Sequence, residues 1–434
     1  VTGRAGRSLR PLLHVVLPVL AALAASTARA ADRRWTGAAE VGFDSYMERY
    51  TVADDDTLSS IAEFCARLRM GYAVGAFGRN YALLEAKGLL GESSYEAGGH
   101  AVATRRFGTA GRHAVHVDAE VGRRGYRAGS QYDFPNGYLR AFARGTLRWR
   151  ASDVILLKLD DRVERVAYDE RTEFDYDFTR NAVTASADVA GDLAHTFTVG
   201  VRLTTMTVPD SSQIDYRALT PLVEYRGYVD AHRRVQVAMG GERRLYAADA
   251  TRSSFWALLG SGMFEWALYP HWSFELNDEL EHYIYDEQSG AYATYFRNLA
   301  EVLVNFNPGG FQVGAGPAFG WLESRESPQD EYRELGVKMG FEWVGGTGAW
   351  VSASYQPGWR DYVLYDSSPG PGEIPDPDAI FSDYGYHRFD VFATVRLHRS
   401  VWLNAYADYQ PEDHDRAGDD ATATVASLSV TCSF

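Results

Sequence analysis

Charge at alternate positions is where this sequence could do chemistry. In the segment 139–149, Arg140, Arg144 and Arg148 share one parity, while Leu139, Ala141, Ala143, Leu147 and Trp149 share the other. In 272–284, Glu275, Asn277, Glu279 and Glu281 stand against Trp272, Phe274, Leu276, Leu280 and Ile284, and the next segment adds Arg297, Glu301 and Asn305. Successive side chains of a strand point to opposite faces, so each segment reads as a strand with one apolar and one ionised face. An arginine row facing a carboxylate row across water would set up a transverse field, and charged rings of this kind decide which ions pass. Equally, the same groups could pair with neighbouring strands and only solvate a wall.

Other chemistry finds little support. His113 and His116 are expected to point to the same face of a strand, a geometry that could hold a metal, but zinc-type sites need three or four ligands and the sequence offers no third. "GSG" at 260–262 is too short for a nucleophile elbow, and the glycines of "GGHAVATRRFG" precede no helix that could cradle a phosphate. We therefore expect no catalytic residue, no resident cofactor and no metal, and not an enzyme. Cys65 and Cys432 are too few and too far apart for a disulfide framework. The formal net charge of −15 argues against nucleic acid as a partner.

The elements that would carry these faces are strands joined by hairpins. Gly-, Pro-, Asn- and Asp-rich turn signals recur near residues 77, 109, 151, 191, 231, 270, 308, 346 and 399. Between them lie pairs of alternating runs, separated by longer polar connections such as "SRESPQD" and "PEDHDRAGDD". Nine tight turns and two chain ends on one side imply about 20 antiparallel strands, or 18 if the weakly alternating region 75–110 is discounted. On that count the arginine and glutamate rows are the fourth and eleventh strands. The rhythm reads as architectural, with no sequence repeat beneath it. The Pro-rich stretch 366–382 is the longest connection and a candidate to fold over a mouth.

Both ends of the chain fit one scheme. Residues 1–30 read as a secretory signal peptide, with Arg4, Arg7 and Arg10 before an apolar run and an A-x-A site ending at Ala30. At the other end, Ala426, Leu428, Val430, Cys432 and Phe434 share a parity against Ser427, Ser429, Thr431 and Ser433. With 13% aromatic residues, 27 tyrosines and a mean hydropathy of only −0.29, the chain suits strands wetted on one face and apolar on the other. Trp266, Tyr269, Trp272, Phe306, Phe311, Trp343 and Trp350 bracket the tight turns. Tyr283, Tyr285, Tyr292, Tyr295, Tyr362, Tyr365, Tyr384 and Tyr386 flank the longer connections, so two membrane-interface girdles are expected.

The leader, the hairpin rhythm and the final strand "ASLSVTCSF" resemble a Gram-negative outer-membrane β-barrel protein, with no specific family singled out. The resemblance implies an all-β, transmembrane, antiparallel up-and-down barrel over 31–434, in the bacterial outer membrane, with membrane lipids around it. It also implies that Leu428, Val430 and Phe434 serve as the signal for the barrel-assembly machinery; Cys432 departs from the usual aromatic at its position. Strands beginning near Trp35 leave no space for an N-terminal plug domain, and Phe434 ends the last strand with no further domain after it. The leading functional expectation is a porin-like channel for passive diffusion of small hydrophilic solutes or ions. Alternatives are the exit barrel of a polysaccharide or other export complex with periplasmic partners, or a structural sheath or scaffold. A homo-oligomer is compatible with each.

Overall fold

In the computed structural model the described residues are 33–434, apart from 53–54, 76–79, 128–135, 173–174, 192–193, 210, 248–249, 251, 288–291, 347, 365–381 and 417–418. The leader 1–30, Tyr365 and almost all of the stretch 366–382 therefore lie outside the described residues.

Alternation of apolar and polar side chains yields twenty strands. They are β1 (Arg33–Val52), β2 (Asp55–Gly75), β3 (Tyr81–Gly91), β4 (Ser94–Phe107), β5 (His113–Tyr126), β6 (Tyr138–Arg150) and β7 (Ile155–Tyr168). The chain continues through β8 (Phe178–Ala190), β9 (His195–Thr207), β10 (Tyr216–Asp230), β11 (Arg233–Tyr246), β12 (Phe255–Tyr269), β13 (Trp272–Tyr285) and β14 (Tyr295–Phe306). It ends with β15 (Phe311–Glu323), β16 (Tyr332–Val344), β17 (Trp350–Tyr362), β18 (Tyr384–His398), β19 (Val401–His414) and β20 (Ala421–Ser433). Each strand pairs antiparallel with its sequence neighbours, and β1 pairs with β20, so one sheet closes on itself. Closure leaves no unpaired edge, which is what a sheet in lipid requires. The upper strand estimate is the observed one, and the arginine and glutamate rows lie on the sixth and thirteenth strands, with the expected separation of seven.

All nine tight turns fall between strands. Glycine is needed where the backbone reverses with positive φ, as at Gly309 (99°) and Gly310 (83°) between β14 and β15. At Gly75 (86°) a Cβ would sit 2.1 Å from the Asn80 carbonyl oxygen, so the β2–β3 turn admits nothing larger. By the rule for bacterial barrels these short turns face the periplasm and the longer connections face outward. β1 and β2, of 20 and 21 residues, are the longest strands, and their hairpin rises past β3, whose pairing with β2 begins only at Cys65.

The outer wall is mainly apolar. Val41, Leu84, Val201, Leu203, Met239 and Val391 stand exposed on it. The terminal strand behaves as its alternation predicts: Leu428 and Val430 face out opposite Phe43 and Val41. Phe434 and Gly37 exchange two backbone hydrogen bonds of 2.9 Å, and the Phe434 ring covers the site of the missing Gly37 side chain. Cys432 is exposed on that same outer face, whereas Cys65 is buried on the inner one beside Asp44.

Candidate functional site: the charged lumen wall

Register places most of the ionised side chains of the strands on the inner wall. The β6 row is not bare. Arg140 donates to Glu164 at 2.7 Å and Arg144 donates to Asp160 at 2.6 Å, both acids belonging to β7. Arg148 has no carboxylate partner among the described residues. The β13 row is likewise partly neutralised: Glu281 pairs with Arg297 at 3.2 Å and Glu301 with Lys338 at 2.8 Å. Glu275 accepts from Asn277 at 2.7 Å and from Asn305 at 3.3 Å, while Glu279 stands exposed to the lumen. The strand register keeps the residues of each row on one parity, but the two rows do not simply confront each other. Each is first clamped to its neighbouring strand.

A larger basic region was missed. Strands β6 to β11 enclose a lumen-facing recess of about 440 Å³ whose lining includes Arg144, Arg162, Arg180, Arg202 and Arg244. Glu164, whose side chain is only 5% exposed, serves three guanidiniums at once: Arg140 at 2.6 Å, Arg180 at 2.5 Å and Arg162 at 3.4 Å. Arg144 lies directly opposite Arg162 in the β6–β7 ladder. Like charges so placed repel. The signal for Arg180 and Arg202 is weak in sequence because Asn181 and Thr205, on the outer face, blur the alternation of β8 and β9.

The tyrosine girdle is a correction. Tyr283 and Tyr285 share the parity of Glu281, and Tyr295, Tyr362, Tyr384 and Tyr386 also face inward. They line the mouth, with Tyr283 stacked on Tyr295 at 5.1 Å. Tyr386, 1% exposed, lies flat over Gly358, accepts from Gln356 at 3.2 Å and donates to Glu334 at 2.7 Å. Arginines stack on this belt: Arg360 sits 4.0 Å from the Tyr332 ring and Arg244 4.5 Å from that of Tyr216. At the opposite rim Trp266, Trp272, Phe311 and Trp343 do face lipid. Trp350 does not; it points inward and donates to Glu342 at 2.9 Å.

His113 and His116 part company, as their odd spacing dictates. His113 stacks on Trp149 outside, at 4.0 Å, and His116 bonds Thr104 inside, at 2.9 Å. No group of three possible metal ligands occurs among the described residues.

The absence of a repeat is also corrected. The three strands of β6–β8 and those of β12–β14 start at one constant offset in sequence, at which Gly145 answers to Gly262, Trp149 to Trp266, Asp161 to Asp278, Glu164 to Glu281, Arg180 to Arg297 and Asn181 to Asn298. Shared contacts follow. On the outer face Asn181 donates to Asp161 at 3.2 Å and Asn298 to Asp278 at 2.8 Å, while on the inner face Arg180 meets Glu164 and Arg297 meets Glu281.

No family model matches the chain, and no curated protein matches it. Solved structures do. The siderophore receptor PirA from Pseudomonas aeruginosa is 9% identical, with a TM-score of 0.57 over 94% of this chain and 81% of that one. The alcaligin outer-membrane receptor FauA from Bordetella pertussis is 11% identical, with a TM-score of 0.60 over 92% and 76%. The copper transporter OprC is 11% identical, with a TM-score of 0.59 over 94% and 81%. At such identity the likeness is one of architecture, and the architecture is that of bacterial outer-membrane β-barrels.

Proposed function

We propose that the protein is an outer-membrane transport barrel whose lumen lets small hydrophilic solutes or ions diffuse through. One observation carries this reading: the inner wall presents ionised and amide side chains along its length, from Arg148 near one rim through Arg144 and Glu279 to Arg297 near the other, while the outer wall is mainly apolar. A ring of twenty strands is wide enough for such a wall to enclose water. The tight turns favour a plain channel over an export exit that docks periplasmic machinery. Three of them, β10–β11, β12–β13 and β18–β19, leave only two residues between strands.

Single-channel recording of the refolded protein in a planar bilayer tests the proposal. Stable current steps, with a reversal potential under a salt gradient that moves on Arg144→Gln or Glu279→Gln, are expected. A folded, heat-resistant barrel that passes no current would refute it.

A further inference from the structure

We propose that the recess on the β6–β11 wall is a binding site for a small, multiply charged oxyanion. The inference deepens the transport reading and rests on it for its physiological meaning, though binding itself needs no open pore.

Three observations converge. First, the recess is short of carboxylates. Asp160 is engaged by Arg144 and by the Thr146 hydroxyl, each at 2.6 Å, and Glu242 by Arg244 at 2.6 Å. Glu164 is divided among Arg140, Arg162 and Arg180, so one negative charge answers three positive ones. Arg202 has no carboxylate partner among the described residues; its Nε donates to the Thr184 hydroxyl at 3.3 Å. Second, donors are left over. The Nε of Arg162 is buried without a hydrogen-bond partner, and the guanidinium is steered by the Phe142 face, 4.9 Å from its centre. A buried N–H without an acceptor has lost its water and gained nothing in return. An oxyanion would supply that acceptor, and guanidinium forks match the paired oxygens of phosphate or carboxylate. Third, Arg144 and Arg162 are held directly across the ladder from each other, an arrangement that an anion between them turns from repulsion into attraction.

The second copy of the motif serves as an internal control. Where the first has Arg144, Arg148, Lys158 and Arg162, the second has Ser261, Glu265, Glu275 and Glu279. Its Glu–Arg brace and outer Asp–Asn bond persist. Sharing a frame does not require the surplus of arginines, which is thus a property of one wall.

The test uses inorganic phosphate and citrate as probes. Isothermal titration into the folded, detergent-solubilised barrel at low salt should show saturable binding of both. Affinity should fall at least tenfold in the double variant Arg162→Gln/Arg202→Gln. Arg243→Gln, which removes a cation from the outer face, should bind as the parent does. Heat-modified migration and circular dichroism establish that each variant is folded; if the double variant is not, Arg202→Gln alone is read in the same way. In bilayers, phosphate should reduce the chloride current of the parent and not of the variant. Absence of saturable binding, or equal loss in Arg243→Gln, overturns the site. Binding without any conductance keeps the site and refutes the channel; conductance without binding does the reverse.

Discussion

Set side by side, β6–β8 and β12–β14 are one scaffold carrying two opposite charges. Both open with an inward aromatic, Tyr138 or Phe255, and both place glycine opposite the outward aspartate. Each ties that aspartate to asparagine on the following strand and braces the lumen side with a Glu–Arg pair. Between these fixed points the lumen residues are reversed: Arg148 against Glu265, Lys158 against Glu275, Arg162 against Glu279. The difference separates two jobs. Residues common to both copies hold strands in register. Those that differ face water, where a change of charge costs the fold little, and they are free to set what the wall attracts.

The largest effect should come from erasing the difference. Converting the first copy to the second, with Arg144→Ser, Arg148→Glu, Lys158→Glu and Arg162→Glu, is expected to turn the proposed channel towards cations, read as an inverted sign of the reversal potential in a potassium chloride gradient. An unchanged sign would place selectivity elsewhere. Next, the braces should prove unequal. Glu164→Gln strands three guanidiniums and should lower stability by about 2 kcal/mol, less than a fully buried pair because the arginines reach solvent. Glu281→Gln has one partner at 3.2 Å and should cost under about 1 kcal/mol. Guanidinium-chloride unfolding of the two variants compares them directly; equal losses would dissolve the distinction.

The outer bonds come third. Asn298 is 5% exposed, so Asn298→Leu should strand Asp278 at a cost of about 1–3 kcal/mol. Asn181→Leu should cost less, because Asp161 is already exposed. Adding Asp278→Leu to Asn298→Leu should recover most of the loss in the same unfolding assay. Smallest of all is Arg148→Gln, which leaves no carboxylate behind and should stay within about 0.5 kcal/mol of the parent while weakening anion preference.

Much of this was legible beforehand, and the failures have physical causes. Strand count followed from turn chemistry, and the faces of Arg140, Arg144, Arg148, Glu275, Glu279 and Glu281 followed from parity alone. The inward tyrosines were equally readable, since Tyr283 and Tyr285 alternate in step with Glu281. The expectation gave weight to where aromatic rings usually lie and too little to which way these must point. The ion pairs were not readable. Whether Arg144 meets Asp160 depends on the register between β6 and β7, which neither strand states by itself. Arg202 was hidden because Thr205 and Thr207 roughen the outer face of β9, and the repeat was hidden because its most conspicuous residues are the ones that change sign.

The outer Asp–Asn bonds bear on how the wall is made. Asp161 and Asp278 sit near the middle of their strands, at a depth where lipid gives a lone carboxylate nothing to bond. Their asparagines lie on the very next strand, never on the previous one. A strand threaded into the bilayer by itself would carry its aspartate unanswered until the next arrived. A hairpin zipped beforehand brings acid and amide together. Time-resolved crosslinking of β7 to β8 during assembly should therefore detect their contact before either strand reaches lipid. On this view β7 with β8, and β13 with β14, are the smallest pieces of the barrel that can be handed to a membrane.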